Sequence, residues 1–221
     1  MDLTLRPTSR RETGRLARRK RIVDAAQALV RERGIDDVSM VQIAERAEVS
    51  PATLYNLFET KSAIFWQVLD RETEDYERRV ARKRPKDALE GIFVAVEVAV
   101  ARFLKDPQFH RVMAVAGEQE SERLGFTLSR RRVAFWSGLV AEAVVEGRLR
   151  EDTDSDLIGR TLAHLIAGIF QYTPENSAKR LNAEIAFGFS LILSAVSTGD
   201  SRSGLEMRAA EAQKQLPAGK R

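Results

Sequence analysis

An all-α fold is predicted by three observations. Apolar residues recur at helical spacing through most of the chain. Six prolines and thirteen glycines are too few for a β-rich protein of 221 residues with many tight turns. Residues 39–61 contain two short helices, each with its own start signal: Ser39 with Gln42 as a capping box, then Ser50 followed by Pro51. About nine helices are expected in all, over three stretches: residues 1–59, 60–199 and a polar tail at 200–221.

The first helix is expected from about Leu16 to Arg33, burying Ile22, Ala26, Leu29 and Val30 on one face, with Gly34 ending it. The next two helices start too close together to run on in one direction. The chain must turn sharply at Ala47-Glu48-Val49, leaving Ile43, Ala44, Ala47, Val49, Leu54 and Phe58 as a small shared core. This is the pattern of a helix-turn-helix. Its second helix carries Thr53, Tyr55 and Asn56 outside the apolar set, which suits a reader of the DNA major groove.

Thr60 caps a long fourth helix, Lys61 to about Arg82. Pro85 opens a fifth that is apolar on most sides (Ile92, Phe93, Val96, Phe103) and is therefore central. Asp106-Pro107 starts a sixth helix through Met113, and a seventh runs from about Glu122 to Glu146, ended by Gly147. An eighth is expected from about Ser155 to Tyr172 and a ninth from about Ala178 to Ser197. Beyond Gly199 the chain is poor in apolar residues and reads as a frayed tail.

Composition narrows the function classes. Without cysteine there is no disulfide framework, thiolate nucleophile or cysteine-based metal site. Nothing in the apolar pattern suggests a membrane span or a signal peptide, so a cytoplasmic protein is expected. His110 and His164 fall on separate helices, with no HExxH, GxSxG or phosphate-binding glycine loop. No enzyme, metal or cofactor is predicted. Charge is uneven: residues 1–21 hold eight basic groups against Asp2 and Glu12, while the net charge of the whole chain is only +4. A basic arm ahead of a helix-turn-helix is an electrostatic footprint for phosphate, and also what a solvated tail looks like.

The run from Lys20 to Trp66, a little over a fifth of the chain, strongly resembles the N-terminal domain of TetR-type bacterial transcriptional regulators. The matching marks are Ile22-x-x-Ala25-Ala26, Gly34, Ile43-Ala44, Val49-Ser50, Thr53-Leu54-Tyr55, Phe58 and Lys61. Two positions depart from the pattern: Glu48 stands where glycine is usual, and Leu57 where an aromatic or histidine is common. The resemblance implies a three-helix DNA-binding head followed by a helical effector-binding and dimerisation bundle. It also implies a ligand-responsive regulator, most simply a repressor, binding a palindromic operator as a dimer.

Site residues follow from motif and chemistry together. Ser39, Thr53, Tyr55 and Lys61 are expected on phosphates, and Pro51, Ala52 and Asn56 at base edges, with Ser50 capping the reading helix. Tyr55 could instead be a half-buried packing aromatic, and Lys61 an ordinary exposed lysine. Small residues among apolar ones in the last two helices, such as Ala163, Gly168 and Gly188, suit close approach of a second copy, so a homodimer through that pair is expected. Candidate liners of an effector site are Phe93, Phe103, Phe109, Met113, Phe126, Phe135, Trp136, His164, Gln171 and Tyr172, which suggest a small apolar or aromatic effector. For any single one of them core packing is the simpler role, and His164 fits an interior or interface histidine better than a ligand. The competing reading is a helical scaffold that coats DNA or binds protein partners without promoter control.

Overall fold

The computed structural model describes residues 10–112, 128–173 and 177–216. The elements are α1 (Arg10–Arg33), α2 (Met40–Arg46), α3 (Pro51–Leu57), α4 (Lys61–Ala81), α5 (Ala88–Lys105), α6 (107–112), α7 (Leu128–Val145), α8 (Ser155–Tyr172), α9 (Ala178–Val196) and α10 (Gly199–Gln215). Among the described residues no named strand occurs, and one isolated bridge pairs Leu149 with Ser197. The all-α prediction is therefore met. The chain divides into two compact units, Met1–Arg71 and Glu72–Arg221, so the boundary falls inside α4.

Within the first unit, α1 buries Ile22, Val23, Ala26, Leu29 and Val30, and α4 buries Ile64, Phe65, Val68 and Leu69. Polar ties join α1 to its neighbours. Arg71 on α4 donates to Asp24 and Gln27, and Arg46 on α2 forks onto Glu32, with Nη2 2.7 Å from Oε2. That hydrogen bond holds the Glu32 carboxyl below its ordinary value. α1 starts six residues earlier than the sequence suggested, so much of the expected basic arm is helix.

In the second unit, α5 is central as its apolar surface requires: Ile92, Phe93, Val96 and Phe103 share one cluster with Trp136 and Val140 of α7, Leu162 of α8 and Phe189 of α9. Caps close the helices where sequence placed them: Asp154 accepts from Leu157 N–H at 2.9 Å, and Asp106 accepts from Phe109 N–H at 3.2 Å.

The tail reading of residues 200–221 needs correction, because 199–215 form α10. Leu205, Ala209 and Ala212, spaced at i, i+4 and i+7, are buried, and the Arg208 guanidinium lies 4.0 Å from the Phe93 ring centroid. A stripe containing one leucine and two alanines gives too weak an apolar signal to be seen in sequence. Its start is pinned by Thr198, whose hydroxyl donates to Gly147 O at 2.8 Å.

Candidate nucleic-acid interface

Two short helices stand side by side because each is capped from its own sequence. The Ser39 hydroxyl accepts from Gln42 N–H at 3.2 Å while Ser39 N–H donates to Gln42 Oε1 at 2.8 Å, completing the capping box. Ser50 Oγ accepts from Thr53 N–H at 3.2 Å, and Pro51 occupies the first turn, where its missing N–H would have had no partner in the helix. Between them Glu48 takes φ +52°, and Val49 N–H closes on Ala44 O at 3.0 Å. A side chain in that left-handed conformation costs about 1 kcal/mol. Burial of Ile43, Ala44, Ala47, Leu54 and Phe58 outweighs it. Val49, expected in this core, is half-buried.

Leu54 faces inward, which turns the rest of α3 out. Pro51, Ala52, Tyr55 and Asn56 are exposed, Tyr55 at 52%, so this tyrosine is not a core residue. Thr53 is half-buried, and its hydroxyl pairs with that of Ser50 at 2.8 Å. One proton of that pair remains available to an outside acceptor, as does the proton of the Ser39 hydroxyl, which accepts within its cap. Lys61 is half-buried, with Nζ 5.6 Å from the Phe65 ring centroid. At the other end of α3, Arg19 Nη1 donates to Leu57 O at 2.8 Å and its guanidinium lies 4.2 Å from the Phe58 centroid. This satisfies a carbonyl that the helix end leaves open.

Sequence reasoning placed the basic residues of α1 in an arm and gave them no positions. Helical geometry brings Arg11, Arg15 and Arg18 beside Thr53 and Asn56. The signal was present as i, i+4, i+7 spacing, but only once the helix was known to begin at Arg10.

Eight of the ten proposed effector liners fall among the described residues. Phe93, Phe103, Phe109 and Trp136 are core residues, and Phe103 stacks on Phe170 at 4.3 Å. Phe135 is half-buried, edge-on to Tyr76 at 5.0 Å. Gln171 is half-buried, and its Oε1 has no hydrogen-bond partner among the described residues. His164 and Tyr172 are exposed, Tyr172 at 84%, and line an open groove between α8 and α9 together with Glu184. His164 is thus not an interior histidine: its turn of α8 points away from the buried Leu162 and Ile166. Met113 and Phe126 lie outside the described residues.

Charge in this unit gathers on the second half of α4. Arg102 donates to Glu72 O at 2.8 Å and to the Glu72 carboxylate, while Arg131 reaches Glu77 at 3.0 Å. Burial would raise the Asp75 carboxyl, but the hydrogen bond from Arg79 and the charges of Arg79, Arg102 and Arg78 hold it below the usual range. Burial pushes the Tyr76 phenol up, and its hydroxyl donates to Ala95 O at 2.9 Å. Burial, helped by the Arg102 charge, lowers the His110 imidazolium. Among the described residues no group of three acidic, histidine or cysteine side chains could hold a metal, and no helix is long and apolar enough to cross a membrane.

Residues 22–68 match the model of the bacterial regulatory proteins, tetR family. Over 99 residues the chain is 33% identical to the HTH-type transcriptional repressor KstR of Rhodococcus jostii, covering 45% of this chain and 47% of that one. The match thus spans about half the length of that relative. Over 145 residues it is 30% identical to the uncharacterized HTH-type transcriptional regulator YdeS of Bacillus subtilis, covering 62% of this chain and 70% of the relative. The fold is similar to the crystal structure of a gamma-butyrolactone receptor, an ArpA-like protein, with TM-score 0.59 and 18% identity over 92% of this chain and 100% of that one.

Proposed function

The chain belongs to the TetR family of bacterial regulatory proteins, and we propose that it is a ligand-responsive repressor that reads a palindromic operator with α3 as a homodimer. The observation that carries this reading is the capped α3, which buries Leu54 and turns Pro51, Ala52, Tyr55 and Asn56 outward. A helix whose first turn is exposed can enter a major groove end-on. Ala52 then suits a thymine methyl and Asn56 the N6/N7 edge of adenine. Ser39, Thr53, Tyr55 and Lys61 hold phosphates and set register.

Two heads related by a two-fold axis enter successive major grooves about 34 Å apart. Dimerisation through α8 and α9 is supported by their outward Leu157 and Leu191 and by the groove at His164 and Gly168. An effector bound among α4 to α8 would act by changing the separation of the two heads, since α4 carries residues of both units. A small effector is in keeping with the fold shared with a gamma-butyrolactone receptor, its apolar or aromatic character with the aromatic candidates of the sequence, and a negative outcome on transcription with the similarity to a repressor.

Gel-shift titration across operator variants tests the assignment. Tyr55→Ala and Lys61→Ala should weaken binding to every sequence, whereas Asn56→Ala should relax preference at one base pair. Undiminished affinity in the first two variants refutes the phosphate assignment. Broad, salt-sensitive protection of DNA in place of one short palindrome would favour a coating protein instead.

A further inference from the structure

The contacts proposed above lie on α2, α3 and the start of α4, and leave the exposed face of α1 unused. Arg11, Arg15 and Arg18 line one wall of an open groove of about 710 Å³, with Thr53 and Asn56 of α3 on the other. All three arginines are exposed. Two neighbouring cations of this unit are paired away from the groove, Lys20 with Asp24 and Arg46 with Glu32. Glu12 also lines the groove, so three cations face one carboxylate there. The Arg18 guanidinium folds back along the helix over Gly14, its Nη1 at van der Waals distance, 3.5 Å, from where a Cβ of residue 14 would stand. With a rise of 1.5 Å per residue the row spans roughly 10 Å of helix axis. One strand of a duplex presents about three phosphates over such a length, at about 3.4 Å each along its axis.

We propose that this groove seats a sugar–phosphate strand of duplex DNA, gripped by Arg11, Arg15 and Arg18 on one side and by the Thr53 hydroxyl on the other. The assignment rests on α3 entering the major groove. Asn56 stands at the edge of the groove, where the held strand passes to the base pair that α3 reads. Guanidiniums on phosphates carry no sequence information, so the row supplies affinity and register and leaves base preference to α3. Each phosphate neutralised releases condensed counterions, which gives the row a readout of its own.

The experiment is a salt titration of the full chain on a duplex selected from random sequence, followed by fluorescence anisotropy. Arg15→Ala with Arg18→Ala should flatten the plot of log affinity against log salt by about 0.9 per arginine in each bound head, with the ranking of operator variants unchanged. Arg15→Lys with Arg18→Lys keeps the charges and should keep most of the slope, which separates lost contacts from a damaged helix. Lys20→Ala removes a charge from the same helix outside the groove and should leave the slope as it was. An unchanged slope in the double alanine variant, or an equal loss in Lys20→Ala, overturns the proposal. If the unaltered chain prefers no sequence at all, the reading of α3 falls first and this proposal with it.

Discussion

Gly159 lets α8 lie against the backbone of α7 at Ser137, and its replacement by alanine separates backbone packing from side-chain packing. A Cβ at residue 159 would lie 2.4 Å from Ser137 N and 2.6 Å from Ser137 Cα. Ordinary contact needs about 3.5–4.0 Å, so the two helices must part by roughly 1 Å. Ser137 belongs to the buried layer, and no rotamer change moves a backbone nitrogen. Overpacking of this kind costs about 1–3 kcal/mol, and alanine recovers about 0.5–1 kcal/mol through its better helix propensity. Gly159→Ala should therefore lose about 1–2 kcal/mol, a fall in Tm of roughly 3–6 °C for a domain of this size. Gly188→Ala is the matched control: its Cβ would meet Leu165 Cδ2 at 2.5 Å, but that is the end of a flexible side chain that can swing aside. Urea denaturation followed by circular dichroism measures both. A Gly159→Ala midpoint equal to wild type, or a larger loss in Gly188→Ala, refutes this account of the α7–α8 contact.

Gly168→Ala places a methyl where, among the described residues and apart from its own helix backbone, nothing lies within 4 Å, so the isolated fold should gain about 0.5–1 kcal/mol. If a second copy packs on the α8–α9 groove, the same methyl should weaken the dimer in sedimentation, and an unchanged dimer constant would remove Gly168 from the interface. Arg19→Ala loses a charged hydrogen bond to Leu57 O and its place over Phe58, and should cost the head about 2 kcal/mol. Faster amide exchange in the last turn of α3 would confirm it, and unaltered protection there would contradict it. His110 has a lowered pKa, so the unfolded chain binds the proton more readily than the folded one. Its contribution to stability is whole above the unfolded value near 6.5 and is lost as pH falls through that value towards the folded one. His110→Asn should flatten the urea midpoint between pH 7 and 5, and an identical pH profile would clear His110 of the effect.

What could be read from sequence is what neighbours in sequence decide. The starts of α2 and α3 depend on Ser39, Gln42, Ser50 and Pro51, all within a turn of the helices they open, and both lie where expected. The turn at Ala47-Glu48-Val49 was legible for the same reason, whereas the left-handed position of Glu48 was marked only by the family pattern, in which glycine is usual there. Burial of a particular aromatic is decided by residues far along the chain. Phe103 and Trp136 went to the core while Tyr172 went outside, and helical spacing alone could not sort them. α10 escaped notice because alanines supply most of its buried stripe, and the groove on α1 because three arginines in a row of basic residues show no period until the helix start is fixed.

The most direct measurement is the sequence selected from random duplexes by the full chain at physiological salt, repeated with five base pairs inserted at its centre. The account requires a palindrome whose half-sites are centred one helical turn apart, and a loss of binding when the insertion rotates one half-site to the opposite side of the duplex. Selection of a single half-site, or equal binding with and without the insertion, would contradict the two-headed reading of DNA by α3.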